Sequence, residues 1–356
     1  MHRLRFLRRL STSASPLGAR PITRTSYFRR CVSNLVATTR SRRVAADASV
    51  DGSVHVSTID GVAAVILEAG PTVFSVLPEV GLVGASLTHK GRQYLDFHGG
   101  PENARAGHTT GLPLLAPWAN RLASSSYRVG SHTVDLSDVP LHRDGNGLPI
   151  HGMLVGRPGW ELVSVKGQPG SASMVAKFDA GADETVMAAF PFPHELTIGF
   201  TVTPGRLMVS TTLTATGKRS VPVSFGWHPY FRLPEVERGR IRLGAPARHR
   251  LVLDEMGLPT GEEVFEPASI VRIGDRSFDD AYRLGSDRQL LLASGRRRLT
   301  VVFDRKYSYA QFYAPPGADF IALEPMTAPT NALCQGTTPM VSPGERFTAR
   351  FVVSLT

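Results

Sequence analysis

His228 lies in the stretch Pro222-Val-Ser-Phe-Gly-Trp-His-Pro-Tyr-Phe-Arg-Leu233, a titratable imidazole where a strand turns into a loop. Val221 and Val223 alternate with small or polar neighbours, and Pro229 removes a ladder donor and holds His228 in extended geometry. A core histidine inside the aromatic cluster of Phe225, Trp227, Tyr230 and Phe231 is the competing reading, and partners elsewhere in the chain decide between them. Glu324 stands at the end of the apolar run 320–327, immediately before Pro325, where a carboxylate is costly to bury without a partner and therefore marks a site. Asn120-Arg121 closes an apolar segment interrupted by Pro113 and Pro117, a rigid delivery of planar donors suited to hydroxyl or carboxylate groups. His151 precedes Gly152, which permits unusual backbone geometry, so the chain can bend there around a ligand. Asp279 and Asp280 are adjacent on an extended segment and point to opposite sides, so only one faces a given pocket.

The elements that must position these residues are strands. From residue 54 the pattern predicts strands at 54–59, 62–68, 72–77 and 83–89, separated by the turn signals Asp60-Gly61, Gly70-Pro71, Pro78 and Lys90-Gly91. Residues 98–108 are glycine-rich, lack strand periodicity and read as a long binding loop; they have neither the spacing nor the following helix of a phosphate cradle. A hairpin is predicted at 127–134, and further strands at 161–166, 173–179, 196–203, 207–216, 240–243, 248–253, 289–293, 299–303, 309–313, 320–327 and 347–355. His194-Glu195 begins like a zinc-helix motif, but Ile198 stands where the second histidine would be.

With 356 residues at 42% hydrophobic, the chain can bury a large core, and 26 Pro with 34 Gly favour many short strands joined by turns. The formal charge of +10 is unevenly placed. Residues 1–46 hold eleven Arg and no acid, whereas the remainder carries 29 basic against 30 acidic residues, a net of −1. That near-neutral body argues against a nucleic-acid binder, which needs a concentrated basic face. Residues 1–46 read as an unstructured Arg/Ser-rich leader, either an organelle transit peptide or a miscalled start, with a cytoplasmic protein as the expectation and an organelle as the alternative. Residues 47–356 are expected to form the folded domain. Cys31 and Cys334 give no disulfide framework, and no apolar run approaches membrane-spanning length.

Taken together, Asn120-Arg121, His151-Gly152, His228-Pro229-Tyr230-Phe231, Phe278-Asp279, Gln311-Phe312-Tyr313, Glu324 and Pro343-Gly344-Glu345 resemble the motifs of the aldose 1-epimerase (galactose mutarotase) family, over roughly residues 54–356. Each is weak alone; seven in the family's order are specific. The resemblance implies an all-β fold, a large antiparallel β-sandwich of the galactose mutarotase-like supersandwich type. It implies catalytic residues His228 and Glu324, sugar binding by Arg121, His151, Asp279 and Gln311, with Asn120 beside them, and neither cofactor nor metal. The implied reaction interconverts the α and β anomers of a free aldohexose by acid–base ring opening and closure, with Glu324 as carboxylate base and His228 as imidazolium acid. The partner is then a small aldose, not nucleic acid or a membrane, in a monomer or a dimer. Met153 replaces a second glycine found in many members, and the thirteen positions from Gln311 to Glu324 match the compact members.

Two rivals stay open. A hexose-6-phosphate 1-epimerase would use the same pair and add cations, for which Arg105, Arg143 and Arg157 are available. A non-catalytic sugar-binding or sensor protein on the same fold would need no acid–base pair. Trp118 or Trp227 is available as an apolar face for a sugar, core packing being the other role for each.

Overall fold

The computed structural model describes residues 51–356; the leader and its targeting reading lie outside the described residues. Three antiparallel sheets carry the architecture. Gly52–Ile59, Val62–Ala69, Thr72–Leu77, Val83–His89 and Arg92–Gln93 form a meander in sequence order. Its turns fall at the predicted signals, with Gly61, Gly70 and Gly91 all at positive φ. Val62–Ala69, almost wholly buried, reads as the continuous apolar run of a two-sided strand.

The nine-stranded sheet runs in spatial order Ser269–Arg272, Arg242–Ala245, Gln289–Ser294, Arg297–Phe303, Arg346–Leu355, Arg206–Ala215, His194–Thr203, Ser171–Asp179 and Glu161–Gln168. The eight-stranded sheet carries the polar residues of interest. It begins at the edge strand Pro259–Glu266, continues through Arg248–Leu253, Phe278–Leu284, Tyr309–Ala314 and Ile321–Met326, and ends in the short pieces Gly226–Trp227 and Leu114–Leu115, with Tyr230–Phe231 branching from Ile321–Met326.

The two large sheets meet through aromatic side chains. Trp227 of the eight-stranded sheet packs edge-on against Phe200 and Phe351 of the nine-stranded sheet, at 5.9 Å and 6.1 Å between ring centroids. Its indole Nε1–H donates across the interface to Thr211 Oγ1 at 2.9 Å. Trp118 is likewise fully buried in the core, so core packing is the role of both tryptophans.

Sequence and structure differ in several places. The segment read as a loop at 98–108 holds a short helix, Gly100–Arg105, because Pro101 sits at its first turn, where a missing N–H costs nothing, and Glu102 follows at the positive end. A second helix, Glu184–Ala189, starts at Asp183, whose side chain accepts from Val186 N–H. The strand predicted at 240–243 begins two residues later, behind a 3-10 turn at Arg238–Arg240. Pro259–Glu266 and Ser269–Arg272 were not expected as strands; both are exposed sheet edges, where alternation leaves little hydrophobic signal.

Phe351 is fully buried and contacts Trp227, Phe303 and Tyr307. Phe351→Ala is expected to lower unfolding free energy in urea by about 3–5 kcal/mol, and a loss below about 1 kcal/mol would mean that these rings do not bridge the sheets as a packed core.

Candidate active site

Alternation along three neighbouring strands assembles the site. Gln311 is the direct cross-strand partner of Glu324, and Asp279 is that of Tyr313, two residues along from Gln311. These four side chains therefore share one face. Asp280 pairs with Phe312 on the opposite face, where the Tyr282 and Phe312 rings pack at 4.6 Å between centroids, tilted by 45°. The ambiguity between the adjacent carboxylates is thereby resolved in position: Asp279 lines the cavity and Asp280 does not. The same alternation separates Trp227, which points into the core, from His228.

The cavity has a volume of about 170 Å³ and is lined by Asn120, Arg121, His151, His228, Asp279, Gln311 and Glu324, together with Thr109, Ile150, Tyr230 and Tyr313. All seven site residues expected from the sequence are thus brought together. Thr109, Tyr230 and Tyr313 are additions; both tyrosines lie in the motifs around His228 and Gln311, whereas Thr109 falls just past the loop expected at 98–108. The Tyr230 and Thr109 hydroxyls hydrogen-bond at 2.6 Å, and the Tyr230 ring stacks on His228 at 4.5 Å with 17° between planes. A tyrosine supplies the aromatic wall that the tryptophans do not.

His228 Nε2 lies 3.3 Å from Glu324 Oε1, and the two residues are only 4% and 1% exposed. His228 is therefore buried among aromatics, as the core reading had it, and also turned to a carboxylate. Burial acts on both groups against their charged forms. It lowers the His228 pKa, with His98 adding to the effect against a local backbone contact. It raises that of Glu324 well above its ordinary value, with Asp279 adding to the rise and Arg121 opposing it. His151, 5.5 Å from His228 between ring centroids, is pushed well below the ordinary imidazole value, first by burial and then by His228, Arg121 and His142.

Several buried atoms of residues lining this space have no hydrogen-bond partner in the protein: Glu324 Oε2, Gln311 Oε1, His151 Nδ1 and His228 Nδ1. Unpaired buried polar atoms are uncommon in folded proteins, and their concentration in one cavity suits a ligand rich in hydroxyls. Gln311 Nε2 donates to Asp279 Oδ1 at 2.6 Å, which orients both side chains.

The loops that complete the site are held in sparsely populated conformations. Asn120, His151 and Asn331 all have positive φ, at 57°, 63° and 69°. They interlock: His151 N–H donates to the Asn120 carbonyl, Asn331 N–H to the Arg121 carbonyl, and Ala123 N–H to Asn331 Oδ1. Asn331 was missed from the sequence, where it is one more asparagine in a loop. Gly152, at φ 68°, leaves no alternative, since a Cβ there would lie 2.2 Å from the Ala116 carbonyl oxygen.

The cations considered for a phosphate are mostly engaged elsewhere. Arg157 forms a two-nitrogen pair with Asp183, and Arg143 donates to Ser125 and to the Gly147 and Leu136 carbonyls. Arg105 is exposed and lines a neighbouring cavity of about 400 Å³ with His142 and Met153. Among the described residues no helix is long and apolar enough to cross a membrane.

The family model described as aldose 1-epimerase matches residues 79–354. No curated protein sequence matches the chain. Among solved structures, a galactose mutarotase-like protein from Clostridium acetobutylicum superposes with a TM-score of 0.76 at 18% identity, covering 86% of this chain and 98% of that one. Galactose 1-epimerase from Lactobacillus acidophilus gives 0.68 at 17%, covering 86% and 99%. An aldose epimerase homologue from C. elegans gives 0.67 at 15%, covering 81% and 97%. At these identities the structures establish a shared galactose mutarotase-like fold, and the match across residues 79–354 establishes descent: the chain belongs to the aldose 1-epimerase family.

Proposed function

We propose that this protein interconverts the α and β anomers of a free aldohexose, with His228 and Glu324 as the proton-transfer pair. The observation that carries the reading is the 3.3 Å approach of His228 Nε2 to Glu324 Oε1 in a polar cavity whose buried atoms are only partly satisfied by the protein. Ring opening requires a proton to leave the anomeric hydroxyl O1 and another to reach the ring oxygen O5 as the C1–O5 bond breaks. Both oxygens are attached to C1, so two adjacent groups of opposite proton status can serve them together. Rotation about C1–C2 then presents the other face of the aldehyde, O5 re-forms its bond to C1, and the two proton transfers run in reverse.

The pair needs one proton between its members, and burial selects where that proton rests. The charged assignment, carboxylate with imidazolium, and the neutral one, carboxylic acid with imidazole, contain the same number of protons. Depression of His228 and elevation of Glu324 favour the neutral arrangement at rest, with Glu324 as the acid toward O5 and His228 as the base toward O1. Because closure exchanges the roles, either arrangement completes the cycle. Arg121, His151, Asp279 and Gln311 hold ring hydroxyls, and Tyr230 and Tyr313 flank the ring. A free sugar is the reading adopted because Arg143 and Arg157 are already paired with protein groups, which leaves Arg105 of the neighbouring cavity as the cation a 6-phosphate would meet.

Polarimetry of fresh α-D-glucose and α-D-galactose tests this directly. The protein is expected to hasten equilibration, and His228→Ala and Glu324→Ala each to lower kcat by roughly 10²- to 10⁴-fold. If free sugars relax at the buffer rate while glucose 6-phosphate relaxes faster, the phosphate-specific rival is correct; if sugars bind and none relaxes faster, the protein is a sensor.

The pH profile carries a second expectation. A second proton on the pair goes to His228, whose affinity for it is reduced by burial, so the acid limb of kcat/KM lies below the ordinary imidazole value of 6.5. Loss of the last proton is from Glu324, so the alkaline limb lies well above the ordinary carboxyl value of 4.5. A profile falling through 6.5 on its acid side, after correction for the buffer rate, would contradict this assignment.

A further inference from the structure

Two turns that share a sequence approach Arg121. Asp144-Gly-Asn-Gly147-Leu148-Pro149 and Asp254-Glu-Met-Gly257-Leu258-Pro259 both read Asp-x-x-Gly-Leu-Pro. They also close alike. In each, the aspartate N–H donates to the leucine carbonyl at 2.9 Å, and the glycine N–H donates to the aspartate carbonyl, at 2.9 Å in the first turn and 3.0 Å in the second. Asp144 Oδ1 accepts the Asn146 and Leu148 N–H groups at 2.9 Å and 3.0 Å, and Asp254 Oδ1 accepts those of Met256 and Leu258, both at 2.9 Å. Gly147 and Gly257 have φ of 77° and 75°.

The two turns meet Arg121 differently. Asp144 spends Oδ1 on its own turn and accepts Arg121 Nε–H on Oδ2 at 2.6 Å. Its side chain is 8% exposed, and although burial raises its pKa, Arg121 and the two turn N–H groups lower it further, leaving a net depression and an anion. Gly257 brings bare backbone against the guanidinium: a Cβ there would lie 3.2 Å from Nη1, 3.4 Å from Cζ and 3.5 Å from Nε. Asn120 Oδ1 takes Nη1 at 3.3 Å, so Nη2 is the guanidinium nitrogen these contacts leave for a ligand. Backbone pairing of Arg121 with Ile150 ties the assembly to the segment carrying His151.

We propose that the paired turns form a clamp fixing the Arg121 guanidinium, with Asp144 as a positioning residue for sugar binding and Gly257 a position where a Cβ would crowd the guanidinium and strain the turn. The binding role rests on the function proposed above; the clamp itself rests on geometry alone. A charge-assisted contact fixes the fork in one orientation and lowers the ordering cost of each hydrogen bond to a hydroxyl. The interaction is made to sugar hydroxyls away from the reacting atoms, so its loss raises KM and spares kcat.

Two readouts on the full chain test the clamp. In ¹H–¹⁵N correlation spectra the Arg121 Nε–H, assigned by its loss in Arg121→Lys, is expected to exchange slowly with water and to lose that protection in Asp144→Asn and Asp144→Ala. Asp144→Asn keeps an oxygen for its own turn, so its thermal midpoint should stay near that of the wild type. For whichever aldose the protein interconverts, Asp144→Asn and Gly257→Ala are expected to raise KM by roughly ten- to a hundredfold with little change in kcat. An Arg121 Nε–H that exchanges as fast as exposed arginines in the wild type overturns the clamp, as does an unchanged KM in Asp144→Asn. If no aldose is interconverted at all, the proposed function fails, and the exchange measurement still decides the clamp.

Discussion

The two-residue period of the eight-stranded sheet is the constraint on which the site depends. Trp227, Tyr282 and Phe312 can enter the core only because their neighbours point the other way, and those neighbours include His228 and Gln311. A register slip of one residue would send the polar set into the apolar interior and the rings into the cavity. Core packing and site assembly are therefore two outcomes of a single alignment. The cross-sheet contact between Trp227 and Thr211 anchors the core face of the segment whose next residue is His228.

Burial then converts that alignment into chemistry. A carboxylate and an imidazole in water would each keep near-ordinary proton affinities, and near neutral pH the carboxyl would be the ionised partner. Within this cavity desolvation moves the two in opposite directions, while Arg121 and Asp279 pull Glu324 opposite ways. Burial is the largest of these influences, so the resting place of the shared proton is set chiefly by the depth of the pair in the fold.

Much of this was legible in the sequence. The meander strands and their turns follow alternation and glycine signals closely, and the site residues stood out because each interrupts an apolar pattern: Glu324 inside a buried strand, Asn120-Arg121 after a proline-broken run, His151 before an obligatory glycine. The choice between Asp279 and Asp280 was open because adjacent strand residues are equivalent until the register with Tyr313 and Phe312 is known. Asn331 and Thr109 were invisible, since their roles arise from contacts with Arg121, Ala123 and Tyr230, all distant in sequence. The short helices escaped for a different reason: six residues each carry too few periods to register.

His228 and Glu324 are each followed by proline, and a residue before proline is confined largely to extended backbone geometry even in the unfolded chain. The restriction travels with the covalent sequence, independent of temperature or of the packing around it. In a homologue or a designed variant, His-Pro and Glu-Pro should therefore be exchanged as dipeptides: grafting the histidine or the glutamate alone would transfer the reactive group without the stiffness that aims it.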